Sequence, residues 1–348
     1  MDINLMINFG GLQLRSPIIV GSCPLTADGP TRLAIQSRGA GAITLPSLFE
    51  EQVIAWSKRN GNQLTTREQR LLSLSDETDI EKTCGDVESY LSLVSKASNE
   101  STIPIIASIN GEVGGHWSEL AVQLQSFGAS AIEILLHHPA PGHPLHPHTI
   151  EDMVVSTVSQ IEQQVAIPLF VKLEPEHTSH SHLAHRLLSG AHGLILFGRQ
   201  PNLDICLDSF ELKRHWDLTH CGGIGQSIGP IMRIHRHCPA MPLAACGGIG
   251  SSGDLIKALL AGADVAVVTS AIYREGPDVV RKFLDGLKNF MRTQQLCSLP
   301  ELFDKRPLEF DSDRERQEYI HALSSRPESF EEGCNDHAME GDRWGHPA

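Results

Sequence analysis

The stretch Leu243-Ala244-Ala245-Cys246-Gly247-Gly248-Ile249-Gly250-Ser251-Ser252-Gly253-Asp254-Leu255 decides how the chain is read. A short run of small apolar residues ends in two glycines, and the Ser251-Ser252 pair then opens a helical stretch. A run without polar alternation suits a strand buried on both faces. Glycines between such a strand and a helix N-terminus let bare N–H groups approach an anion, and the helix dipole favours that charge. Two glycines can also do no more than make a tight turn. A second element favours the anion: Val267-Val268-Thr269-Ser270-Ala271 ends the next apolar run, and its hydroxyls would face the same point. Paired phosphate contacts from the last two strand loops are a standing feature of α/β barrels.

Outward from this stretch the same unit repeats. Apolar runs cover residues 17–20, 42–45, 103–109, 131–136, 167–173, 193–197, 241–245 and 264–268. Helical spacing covers 31–38, 86–98, 117–127, 150–163, 182–188, 228–237, 252–261 and 277–291. Eight strand–helix units in series predict an α/β fold of the (β/α)8 TIM-barrel type. A doubly wound open sheet would place its phosphate glycines after the first strand, not the seventh. Leu12-Gln13-Leu14, following Gly10-Gly11, reads as an N-terminal β-hairpin closing the barrel bottom. Residues 54–85 read as a polar insertion after the second strand. The barrel domain is expected over 1–295. An acidic C-terminal extension follows over 296–348, helical at first and then disordered.

The net charge of −14 argues against a nucleic-acid binder, which would show a basic face. Half of that charge lies in residues 300–348, so the barrel itself is only mildly acidic. The eight cysteines form no CxxC pair, which leaves a zinc ribbon or thioredoxin-type motif unsupported. No apolar run is long enough for a membrane span, and the N-terminal residues lack a signal-peptide pattern. A cytoplasmic protein with free thiols is expected. Histidine is over-represented, and half of the 18 fall in 137–148 and 177–185. Both stretches follow predicted strands and so belong to the active face of a barrel. They are candidate zinc ligands, a candidate proton carrier at His138, or solvated loop residues.

Lys172, in Pro168-Leu169-Phe170-Val171-Lys172-Leu173, ends an otherwise apolar strand. An ammonium there needs a partner, and either an anionic cofactor or Glu174 would serve. Cys23 and Cys246 sit at strand ends, where a small buried apolar role is expected.

These stretches resemble the dihydroorotate dehydrogenase family of FMN-dependent barrels, in particular its divergent dihydroorotate dehydrogenase-like branch. The resemblance rests on residues 12–22, Ser47-Leu48-Phe49-Glu50-Glu51-Gln52, residues 105–111, Val171-Lys172-Leu173, and Ala245-Cys246-Gly247-Gly248-Ile249 with Ala261-Gly262-Ala263-Asp264-Val265. It implies FMN as cofactor and hydride transfer between flavin and a small CH–CH or unsaturated substrate. It assigns Gly247, Gly248, Thr269 and Ser270 to the flavin phosphate. It sets Gly21 and Ser22 against the ring, Gly223 near the cofactor, and Lys172 at ring N1 and O2. It also implies a homodimer.

The departures fall on the substrate side. Pro46 stands where the family has a lysine, and Leu135 and Gly198 stand where it has asparagines. His138 aligns with the catalytic cysteine or serine, and residues 54–85 lack the family's Asn-rich loop. Each lost polar ligand is worth about 1–3 kcal/mol, which argues against dihydroorotate as substrate. Two alternatives follow: a catalytically silent flavin- or phosphate-binding barrel, and a metal-dependent enzyme using the histidine loops.

Overall fold

The structure is a computed structural model. It describes residues 3–59, 61–74, 85–112, 117–137, 145–307 and 312–324. Two compact units are present, Met1–Pro307 and Leu308–Ala348. In the second, the helix Ser312–Ser324 carries an Arg314–Glu318 ion pair one turn apart. In the first, the short helix Leu299–Phe303 buries Leu299 and Leu302, so residues beyond 295 belong to the compact barrel unit.

Eight parallel strands close into a barrel. In order around it they are β3 (Ile18–Val20), β4 (Ala42–Phe49), β5 (Ile105–Glu112), β6 (Ala131–His137), β7 (Leu169–Leu173), β8 (Gly193–Leu196), β11 (Leu243–Cys246) and β12 (Val265–Val268). All eight predicted strands are present, and helices flank them as the (β/α)8 reading requires. The unbroken apolar runs have the expected physical cause, because their outer faces meet helices and their inner faces meet one another.

The core divides accordingly. Strand outer faces and helices form the larger cluster. A smaller one fills the barrel interior with Ile19, Ala42, Ile106, Ala131, Phe170, Ile195, Ala244, Val265 and Val267. The N-terminal hairpin, β1 (Ile7–Phe9) and β2 (Leu12–Leu14), inserts Phe9, Leu12 and Leu14 beneath them. The Phe9 and Phe170 rings stack with centroids 4.7 Å apart.

Two excursions differ from the sequence reading. The insertion after β4 contains helices Glu50–Arg59 and Thr66–Leu74. After β8, an antiparallel hairpin, β9 (Asn202–Ile205) and β10 (Leu212–His215), stands exposed. Among the described residues no helix is long and apolar enough to cross a membrane.

Candidate functional site

The barrel interior turns polar at one level. Ile106 pairs with Ala131, and two residues further along the same strands Ser108 pairs with Glu133. On β7 and β11 the same step leads from Phe170 to Lys172 and from Ala244 to Cys246. Hydrogen bonds join this level side by side. Ser22 Oγ lies 3.0 Å from Ser47 Oγ, which lies 2.8 Å from Ser108 Oγ. Ser108 Oγ donates to Glu133 Oε1 at 3.2 Å, and Lys172 Nζ donates to the same oxygen at 2.8 Å. Ser47 reaches this row because β4 shifts register between Thr44 and Ser47. Pro46 occupies that irregularity, the kind of position at which a missing N–H is tolerated inside a sheet.

Lys172 therefore pairs with Glu133, not with Glu174 as its nearness in sequence suggested. The side chains are 12% and 3% exposed, so each charge depends on the other. Burial pulls the Lys172 pKa down, but the Glu133 carboxylate, aided by Cys246, outweighs it and the net direction is up. Burial pushes the Cys246 thiol up, against the pull of the Lys172 charge. A sequence signal for Glu133 existed. It is the one charge inside its apolar run, as Lys172 is in the next strand, and buried unlike charges on adjacent strands must find each other.

Glu174 instead meets His137, Oε1 to Nδ1 at 2.6 Å, at the barrel mouth. That hydrogen bond raises the His137 pKa, aided by the charges of Glu174, Glu51 and Glu112. His180 Nε2 lies 3.2 Å from the Glu174 carbonyl oxygen, and its ring packs 4.9 Å from that of Phe197. Burial lowers the His180 pKa. Leu135 and Gly198 face each other: a Cβ on Gly198 would lie 3.3 Å from Leu135 Cδ1. The two positions at which the resemblance expects asparagines are thus neighbours, with the Leu135 side chain beside the bare backbone of Gly198.

The insertion is fixed over the same mouth. Arg67 binds both oxygens of buried Glu50, at 2.6 and 3.0 Å. Glu50 Oε2 also accepts the Glu112 N–H at 2.7 Å, and Arg70 binds Glu112. Burial raises the pKa of neighbouring Glu51.

At the opposite side of the mouth, Gly247 and Gly248 both have φ in the left-handed region, 91° and 73°. A Cβ on Gly248 would overlap the backbone of Gly223 and Ile224, so the loops after β8 and β11 touch only because both are bare there. A Cβ on Gly21 would likewise overlap the side chains of Thr269 and Val267. Ser270 Oγ accepts from the Thr219 N–H at 3.1 Å and from the Thr219 hydroxyl at 3.0 Å. Both of its acceptor sites are used, which leaves its proton to donate to an anion. Asp254 holds the glycine loop from behind, accepting from the Gly250 N–H and the Ser251 hydroxyl. Bare backbone, a hydroxyl donor and an anchored helix start form a cradle that fits a phosphate group.

The histidines divide. His180 faces the mouth, whereas His182 Nδ1 pairs with Glu151 Oε2 at 2.8 Å, and the same carboxylate binds Arg186. The His146 and His148 rings stack at the start of the helix Pro147–Glu162. Among the described residues no group of three or more His, Cys, Asp or Glu side chains is placed to hold a metal ion. His138 and His143 lie outside the described residues.

A sequence profile of the dihydroorotate dehydrogenase family matches residues 80–291. The catalytic subunit of dihydroorotate dehydrogenase B (NAD(+)) of Thermoplasma volcanium is 24% identical over 307 residues, covering 86% of this chain and 97% of that protein. The corresponding Methanocaldococcus jannaschii subunit is 23% identical over 303 residues, 84% of this chain and 95% of that protein. Dihydroorotate dehydrogenase A (fumarate) of Lactobacillus helveticus is 25% identical over 290 residues, 78% of this chain and 89% of that protein.

Proposed function

Because the chain belongs to the dihydroorotate dehydrogenase family, we propose that it is an FMN-dependent oxidoreductase acting on a small CH–CH or unsaturated substrate other than dihydroorotate. One observation carries the reading: a glycine cradle suited to phosphate and a charge-paired lysine open onto a single barrel mouth. Gly247, Gly248, Gly223, Thr269 and Ser270 would hold the phosphate, Gly21 and Ser22 would back the ring, and Lys172 would meet its N1 and O2 edge. FMN, when bound, supplies a hydride acceptor and donor at N5.

The chain's own residues would do the rest. Lys172 offers positive charge where reduced flavin becomes negative. The proton is assigned to His138, the position that aligns with the family's catalytic base, next to the described His137–Glu174 pair. The Leu135–Gly198 contact supports an apolar substrate wall, and a substrate rich in amide groups would leave its donors unpaired against it. The relatives' names include both a fumarate and an NAD(+) acceptor, so their names do not choose an acceptor for this chain.

An absorption spectrum of the purified protein tests the reading. A flavin band, or quenching of added FMN fluorescence, is expected. A colourless protein that leaves FMN fluorescence unchanged would overturn it. The Leu135–Gly198 contact also favours a second reading, a flavin-binding barrel without turnover. Photoreduced protein that quinones, fumarate and unsaturated acids all fail to reoxidise would support that reading. Rapid reoxidation by one of them, slowed in His138→Ala, would support the first.

A further inference from the structure

The polar row that runs from Ser22 to Lys172 contains one group that flavin binding does not require. A lysine at the ring edge would be charged without a carboxylate beside it if the mouth were wet. Glu133 is nevertheless built into the barrel interior, with Lys172 Nζ and Ser108 Oγ on one of its oxygens. Replacing a buried ion pair by apolar residues is often neutral or stabilising, so stability alone is a weak reason to find one here. Ser22, Ser47 and Ser108 prolong the row from the other side, so the carboxylate is held from the strand edge that faces away from Lys172.

We propose that Glu133 is a positioning and counter-charge residue that holds the reduction potential of the bound flavin below the value an unpaired Lys172 would set. This rests on the flavin reading above. An unpaired ammonium at the ring edge stabilises the negative charge of reduced flavin by its full field. Paired at 2.8 Å, the same ammonium presents a dipole whose field falls off faster. Cys246 is the other titratable group beside Lys172, and burial pushes its thiol pKa up, against the pull of the Lys172 charge and with the push of Glu133. His137, Glu174, Glu51 and Glu112 cluster at the mouth and add their charges equally in wild type and in a Glu133 variant.

The test uses the full-length holoprotein and sulfite, which adds to flavin N5 and leaves negative charge at N1. Sulfite dissociation constants are read from bleaching of the flavin band, and midpoint potentials from equilibration with a reference dye. Glu133→Gln keeps the shape and the hydrogen bonds but removes the charge. It should bind sulfite at least about tenfold more tightly at mildly acidic pH, equivalent to a potential about 30 mV more positive for a two-electron couple. The gain should fade at alkaline pH, where the stranded Lys172 releases its proton. Should Glu133→Gln not fold, Glu133→Asp withdraws the carboxylate from Nζ, and tightening of about threefold in the same direction is expected. Ser108→Ala removes a hydrogen bond without removing charge and should stay within about twofold of wild type. A folded, flavin-loaded Glu133 variant with unchanged sulfite affinity and potential overturns this proposal and leaves the flavin reading intact. Wild-type protein that takes up no FMN overturns both.

Discussion

Two levels of the barrel interior lie one side-chain repeat apart, and their chemistry is opposite. The lower holds Ile106, Ala131, Phe170 and Ala244. The upper, on the same four strands, holds Ser108, Glu133, Lys172 and Cys246. The backbone is shared, so the difference belongs to the side chains alone. The lower level, plugged by Phe9, closes the barrel as a core does. The upper replaces packing by a hydrogen-bonded row that opens onto the mouth. Stability and chemistry are thus assigned to adjacent levels, and each can be disturbed separately.

The largest effect belongs to the lower level. Phe170→Ala empties the space beside Phe9 and is expected to cost about 3–5 kcal/mol in urea denaturation. The upper level should respond differently. Lys172→Met strands the Glu133 carboxylate and is expected to cost about 3 kcal/mol, while adding Glu133→Leu returns most of it. A double variant as unstable as Lys172→Met would mean that the two levels are alike. Gly248→Ala forces a side chain into a left-handed backbone against Ile224. About 1–3 kcal/mol of destabilisation is expected, with FMN affinity, read by fluorescence quenching, falling further than stability. The smallest effect concerns the mouth. Glu174 raises the His137 pKa, so this pair adds stability in full below the ordinary histidine pKa. That contribution is lost as pH rises through the raised value. Urea midpoints followed across this range should decline in wild type, and the decline should flatten in His137→Gln.

The barrel was legible because eight unalternating apolar runs in series fit little besides parallel strands buried on both faces. The Gly247-Gly248 pair and the Thr269-Ser270 hydroxyls also sit where the seventh and eighth strand loops should be. The charge pairing was not legible. Glu174 is close to Lys172 in sequence but lies beyond the end of β7, whereas Glu133, whose ladder partner is Phe170, meets Lys172 only through its side chain once the two strands lie side by side. The β9–β10 hairpin was missed although Leu203, Ile205 and Leu212 alternate with polar residues. Those apolar side chains remain exposed, so they form no core pattern. The helix Thr66–Leu74 and the second half of Glu50–Arg59 lay in a stretch, 54–85, too polar to show a buried face. His138, the residue singled out for proton transfer, lies outside the described residues, and its role stands as proposed.

The register shift at Pro46 acts as a frameshift in space. Counting by twos from Thr44, which pairs with Ile106, would point Pro46 into the barrel and Ser47 out of it. The extra residue resets the count, so Ser47 takes the place beside Ser108. Pro46 sits inside that irregularity, where a missing N–H is tolerated.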